Sequence, residues 1–304
     1  MRIGINGSGL LANPDLGAMH ADIASAEADG FDSWWLAQTG GVDALTVLAT
    51  GANSDSTMQL GTAVIPTWTT HPQVLAGQAL TAHAACGDRL VLGLGLSHEP
   101  AVVGYWKMTW ERPVRQMMDF LDVLQPLITD GKVAHDGYFW SYEGEIPRFG
   151  GEPPKVMIAA LGEQMLKLAG KRTDGTILWC VGPRTIEQHI APVINQAAAD
   201  AGRDNPAIVC SLPVWVTDDP EPAREFIAKI LSIYAELPSY RSMLDIEGLH
   251  GLGELSLVGS EAEITDRLGE IAASGATDFT AVAMGGDPDE IARTRALLVA
   301  AAAR

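Results

Sequence analysis

Eight short, almost continuously apolar runs recur along this chain, and each is followed by a stretch of helical periodicity. A run without polar alternation is apolar on both faces. That suits a parallel sheet covered by helices better than a half-solvated antiparallel one. The predicted strands are Ile3–Asn6, Phe31–Ala37, Met58–Ile65, Leu90–Leu94, Val156–Ala160, Gly175–Cys180, Ala207–Val216 and Asp278–Ala283. Leu16, Met19, Ile23 and Ala26, spaced three and four apart, mark the inner face of a first helix. Further helices are expected over Val42–Ala52, Gln73–Ala85, Glu163–Lys171, Thr185–Ala201, Pro220–Ala235, Glu261–Ser274 and Pro288–Ala302, with a long one opening at Pro113.

Two stretches break the rhythm. Lys132–Glu152, rich in aromatic residues and punctuated by Gly137 and Pro147, reads as a hairpin-like excursion, and Leu237–Val258 reads as an irregular insertion. Eight β/α units without a composition break predict an α/β fold, a (β/α)8 TIM barrel. It forms one domain over residues 1–304, with insertions after strand four and before strand eight. A Rossmann sheet fits less well. Gly4, Gly7 and Gly9 have the wrong spacing for its fingerprint, and Pro14 and Asp15 separate them from the first helix.

A chain of 304 residues can bury a large core without disulfides or a structural metal. The three cysteines, Cys86, Cys180 and Cys210, lie far apart, which argues for small buried hydrophobes over a disulfide framework or thiolate zinc site. A net charge of −18 sets nucleic acid aside as a partner. No apolar run is long enough for a membrane span. The N-terminus starts directly in a strand instead of a secretory signal, so cytoplasmic residence is expected.

Ligands of parallel α/β folds bind at strand exits. The segment Leu60–Glu99 has polar residues at two exits, and its second strand breaks into Gly95, Leu96, Ser97, His98 and Glu99. Glycine at 95 would let backbone approach a flat or anionic ligand. Ser97 and His98 offer hydrogen bonds, and His98 titrates near neutrality and is a candidate acid or base. The other histidines form no pair at metal-ligand spacing, so no metal is expected. Neither a nucleophile elbow nor an assignable carboxylate pair appears, which leaves a hydrolase reading without support.

Ala160, Leu161 and Gly162 precede a helix whose free N–H groups suit an anion. From Arg148 to Arg184 the chain carries six basic and three acidic residues, a local positive island suited to a phosphate. Cys180, Val181 and Gly182 end strand six and offer a second backbone contact. Trp68, Trp106 and Trp110 fall in loops after strands three and four and could wall an apolar pocket.

In order and spacing, the segments FDSWWLAQ, LGTAVIPT with THP after it, DRLVLGLGLSHE, VMIAALG and TDGTILWCVG resemble the bacterial-luciferase-like monooxygenase superfamily. The closer likeness is to its branch using the deazaflavin F420. The resemblance implies a TIM barrel with the cofactor at the C-terminal mouth. It places a bulge at Ala63, Val64 and Ile65, with a non-prolyl cis peptide at Ala63–Val64. Gly95, Leu96, Ser97 and His98 would line the ring and its side chain. Ala160–Gly162 and Cys180–Gly182 would take the phosphate side. Gln38 and Thr39 stand where some sugar-phosphate-acting members carry a histidine, which makes that substrate class doubtful.

The expectation is an F420-dependent oxidoreductase that moves a hydride to or from a small organic substrate, with His98 as its catalytic residue and Asn6, Trp68 and Trp106 near the substrate. The alternatives are an FMN-dependent monooxygenase using reduced flavin and oxygen, and a catalytically silent flavin-binding protein. The family commonly forms dimers, so a homodimer is expected.

Overall fold

The computed structural model describes residues 1–303. Eight strands close into a barrel: β1 (Arg2–Asn6), β2 (Ser33–Leu36), β3 (Gln59–Thr62), β4 (Leu90–Gly95), β5 (Lys155–Ile158), β6 (Gly175–Trp179), β7 (Ala207–Val216) and β8 (Asp278–Ala283). Each pairs in parallel with its neighbour in chain order, and β8 pairs with β1 to close the ring. Every strand exit therefore opens at one end, the mouth.

Side-chain alternation divides the core in two. Trp35, Val91, Met157, Ile177 and Val209 fill the barrel interior. Trp34, Leu36, Leu92, Leu94, Ile158, Leu178, Cys210 and Leu212 point outward and pack under the helices. Both faces are apolar, which is why the strands read as continuous apolar runs. The three cysteines are free and buried, as expected. At the closed end, Arg2 pairs with buried Asp278 at 2.7 Å, which ties β1 to β8.

Three expected strands, β2, β5 and β6, are shorter, and one is split. The run expected over Met58–Ile65 becomes β3 and a two-residue strand, Ile65–Pro66, which pairs with Leu94 and Gly95. The cis peptide Ala63–Val64 lies between them, at the position that the resemblance implies. Leu16 is 50% exposed, because it opens its helix before the inner face of Met19, Ile23 and Ala26 begins. The first insertion is an antiparallel hairpin, Lys132–Asp136 with Ser141–Glu145.

The second insertion is more ordered than the sequence reading. Helices Pro238–Glu247 and Leu252–Leu255 and a short strand, Leu257–Gly259, occupy the stretch taken as irregular. Pro238 opens the first helix at a position that needs no N–H, and Gly248 ends it; between them Tyr240, Met243 and Leu244 form the buried face. The helix expected over Thr185–Ala201 carries a π-helical turn at Ile186–Ile190. The one expected over Pro220–Ala235 breaks into Pro220–Ile230 and Ser232–Glu236.

Candidate active site

The inward positions at the mouth follow from the period-2 register of each strand. They are Asn6 on β1, Val64 after β3, Gly95 on β4, Ala159 after β5, Trp179 on β6 and Ser211 on β7, and none is charged. Asn6 is committed to structure: its amide nitrogen donates to Ser211 Oγ (2.9 Å), and its oxygen accepts from the Ser8 N–H (3.0 Å).

The bulge after β3 and the exit of β4 are fitted to each other. A Cβ at Gly95 would collide with a methyl of Val64, so this glycine makes room for the bulge. The sequence reading gave that space to a ligand; the space belongs to Val64. Ala63 and Val64 pack against the interior cluster, whereas Ile65, 1% exposed, points into the outer core. Beyond Gly95, Ser97 adopts a left-handed backbone at φ 58°, and Cys180 does the same after β6 at φ 53°. Non-glycine residues held there are uncommon and gather at functional sites.

His98 caps the short helix Glu99–Gly104 and is half-buried. Burial alone depresses its pKa, so the neutral imidazole prevails at neutral pH. Its ring meets Tyr234 at 5.5 Å and Tyr240 at 5.7 Å, both nearly edge-on. Trp179 extends this wall, 6.4 Å from Tyr234. Tyr240 comes from the second insertion and Tyr234 from helix Ser232–Glu236 just before it, both more than a hundred residues beyond His98, and no local pattern ties them to it. Trp179 was findable, since it lies two positions after the inward-facing Ile177.

Gln38 lines a mouth-side cleft of about 310 Å³ with Gly40, Gly41, Asp43, Pro66, Thr69 and Trp106. The Thr39 carbonyl accepts the Gly41 N–H at 2.7 Å and shapes that turn. Trp68 lies elsewhere. It is 5% exposed, packed on Trp110 (5.7 Å) and Phe139 (5.8 Å) beneath the hairpin, so it serves the insertion and not the cleft.

The two expected phosphate-side loops differ. Gly162 precedes helix Glu163–Arg172 without a side-chain cap, leaving first-turn N–H groups available, and His189 binds the Leu161 carbonyl at 2.7 Å. Ala160 faces the outer core and Leu161 packs against it, so only backbone is on offer there. At the β6 exit a built-in anion is already present. The Glu247 carboxylate accepts the Thr185 N–H at 2.6 Å and covers Gly182, while Cys180 and Val181 are buried in the outer core.

The positive island disperses in three dimensions. Lys155 starts β5 at the closed end of the barrel. Lys171 and Arg172 end their helix there, and Arg172 pairs with Asp122 at 2.8 Å. Lys167 pairs with Glu163. The structure also gathers Asp119, Asp122 and His135 within 4.8 Å, a grouping that no sequence spacing flagged. Arg115 (2.9 Å) and Arg172 (2.8 Å) already pair with its two carboxylates.

A ring-walled mouth with uncharged inward strand positions on a parallel barrel is the kind of site that redox enzymes with flat cofactors use. Residues 4–294 match the luciferase-like monooxygenase family, and the chain belongs to it. An uncharacterized protein of Mycobacterium tuberculosis is 31% identical over 278 residues, 86% of this chain and 80% of that protein. A putative coenzyme F420-dependent oxidoreductase of the same organism is 28% identical over 233 residues, 71% of this chain and 67% of the relative. Among solved structures, the coenzyme F420 dependent tetrahydromethanopterin reductase from Methanopyrus kandleri superposes with a TM-score of 0.76 at 18% identity, covering 98% of this chain and 96% of that one. The FMN-bound oxygenating component of 3,6-diketocamphane monooxygenase from Pseudomonas putida gives 0.77 at 15% identity, covering 98% and 96%. At these identities the two structures speak to the fold.

Proposed function

We propose that the protein is an F420-dependent oxidoreductase acting on a small organic substrate with an alcohol or carbonyl group. The observation that carries this reading is His98: a desolvated, neutral imidazole at the mouth whose ring nitrogens have no hydrogen-bond partner among the described residues. Neutral imidazole is a competent base toward an alcohol hydroxyl. His98 takes the hydroxyl proton as the substrate is oxidised, and the imidazolium returns it in the reverse direction.

The residues present fit such a cofactor in part. The uncharged inward positions, with Val64 seated on Gly95, suit the face of a flat ring. The uncapped turn at Gly162 suits one phosphate. The Cys180–Gly182 exit does not, because Glu247 already fills it. When bound, F420 supplies the two-electron hydride chemistry at C5 of its deazaflavin. The chain orients the substrate, excludes water with Trp179 and Tyr234, and handles the proton at His98. The relative named as F420-dependent supports the choice of cofactor.

The second reading is an FMN-dependent monooxygenase, favoured by a Gly162 turn equally suited to a single phosphate. Paired titrations of purified protein with F420 and FMN separate them. F420 binding at least tenfold tighter, about 1.4 kcal/mol, supports the deazaflavin reading. The reverse preference, with oxygen consumed alongside reduced FMN, overturns it. Residence in the cytoplasm and a homodimer complete the proposal, the latter checked by light scattering.

A further inference from the structure

We propose that Tyr234 and Tyr240 are positioning residues that hold the His98 imidazole by ring packing, in the role that a carboxylate partner commonly plays for a catalytic histidine. This rests on the reading of His98 as the proton-handling group. Three rings meet pairwise: His98 to Tyr234 at 5.5 Å and 86°, His98 to Tyr240 at 5.7 Å and 66°, and Tyr234 to Tyr240 at 5.2 Å and 69°. All are edge-on arrangements, the geometry in which ring quadrupoles attract. No hydrogen bond to either ring nitrogen of His98 and no carboxylate within ion-pair distance occurs among the described residues. The groups facing it from other elements are the two phenols, both neutral because burial raises their pKa values; on its own helix the neighbour is exposed Glu99.

The rings need a fixed support, and the insertion has one. Tyr240 is 6% exposed, within helix Pro238–Glu247. That helix is fastened to the β6 exit at three points. The Thr185 N–H donates to Glu247 Oε1 (2.6 Å), the Thr185 hydroxyl donates to the Met243 carbonyl (3.1 Å), and Arg184 donates to the Glu247 carbonyl (3.0 Å). The clamp therefore couples the β4 exit to the β6 exit through the insertion. A carboxylate in its place would draw His98 toward the imidazolium. Ring packing leaves it neutral, with one nitrogen able to donate and the other to accept.

The test is a nitrogen-15 NMR titration of His98 in the intact, cofactor-free chain, with the resonance assigned by its loss in His98→Gln. Tyr240→Leu and Tyr234→Leu are expected to move the His98 pKa up toward 6.5 and to lower turnover at least about tenfold. Tyr240→Phe and Tyr234→Phe, which keep the rings, are expected to restore both readouts. Should Tyr240→Leu fail to fold, Tyr234→Leu at its half-buried position carries the test. An unchanged His98 titration in the leucine variants overturns the proposal. So do phenylalanine variants as impaired as the leucine ones, which would assign the role to the hydroxyls. The titration needs no cofactor, so wild-type protein inert toward F420 with the NMR result intact would fail the functional reading and not this one.

Discussion

Replacing Gly182 with alanine tests how the second insertion is moored to the barrel. A Cβ at this position would lie 2.5 Å from Glu247 Cδ and 2.7 Å from each carboxylate oxygen, where ordinary contact begins at 3.4 Å. The carboxylate is the free end of a flexible side chain, so it yields, by about 0.7–0.9 Å, the gap between those separations and 3.4 Å. Such a retreat stretches its 2.6 Å bond from the Thr185 N–H beyond hydrogen-bonding range. The loss is a charge-assisted hydrogen bond at a helix start, about 1.5–3 kcal/mol. For a chain of 304 residues that corresponds to a Tm decrease of about 2–5 °C.

Calorimetry on Gly182→Ala, Glu247→Ala and the double variant gives the assay. If Gly182 serves Glu247, the second substitution adds little once the first is made, and the coupling energy approaches the single-variant cost. Additive costs would refute the account, since they would mean that the glycine answers to something other than the carboxylate above it.

His98→Ala should lower turnover about 100-fold or more with a much smaller change in cofactor affinity, checked by steady-state kinetics beside binding titrations; lost binding with unaltered turnover per bound cofactor would make it a binding residue. His98 and His83 both have pKa values depressed by burial, so the unfolded chain binds more protons as pH falls past about 6.5. Stability from these two groups is therefore full above that pH and declines as it drops through their lowered folded values. Urea midpoints at pH 7.5 and 5 should differ less in His83→Gln than in the wild type. Lys171→Gln and Arg172→Gln should leave cofactor affinity within about twofold, because both residues lie at the closed end of the barrel; a tenfold loss would return the anion site to the basic island.

Most of the barrel was legible because its signals are local. A parallel strand buried on both faces announces itself as an apolar run. The limits of β7 and β8 and of the last helix, Pro288–Ala302, coincide with those read from the sequence. The break in β3 was not periodic information at all, and its position came from the resemblance. Helix Pro238–Glu247 was hidden because it is only 10 residues long and sits among Pro238, Gly248, Gly251 and Gly253, punctuation that reads as loop. The hairpin was visible for the opposite reason: Gly137 breaks a stretch dense in aromatic residues.

The site was half legible, and the missing half has one cause. Strand exits name the residues that can face the mouth, and they led to Gly95 and His98, while Val64 came from the resemblance. They do not say what fills the space above those residues. Gly95 was read as an opening for a ligand, yet Val64 occupies it; Gly182 was read as a phosphate contact, yet Glu247 lies over it. In both cases a glycine marked a close approach, and the sequence could not distinguish a ligand from the chain's own side chain. Charge behaved likewise. Six basic residues clustered along the chain, but a helix running from the mouth to the closed end carried Lys171 and Arg172 away from the loop they seemed to serve. Linear clustering becomes a site only when the residues share one end of the barrel, and here the rings of Trp179, Tyr234 and Tyr240 share it while Lys155, Lys171 and Arg172 do not.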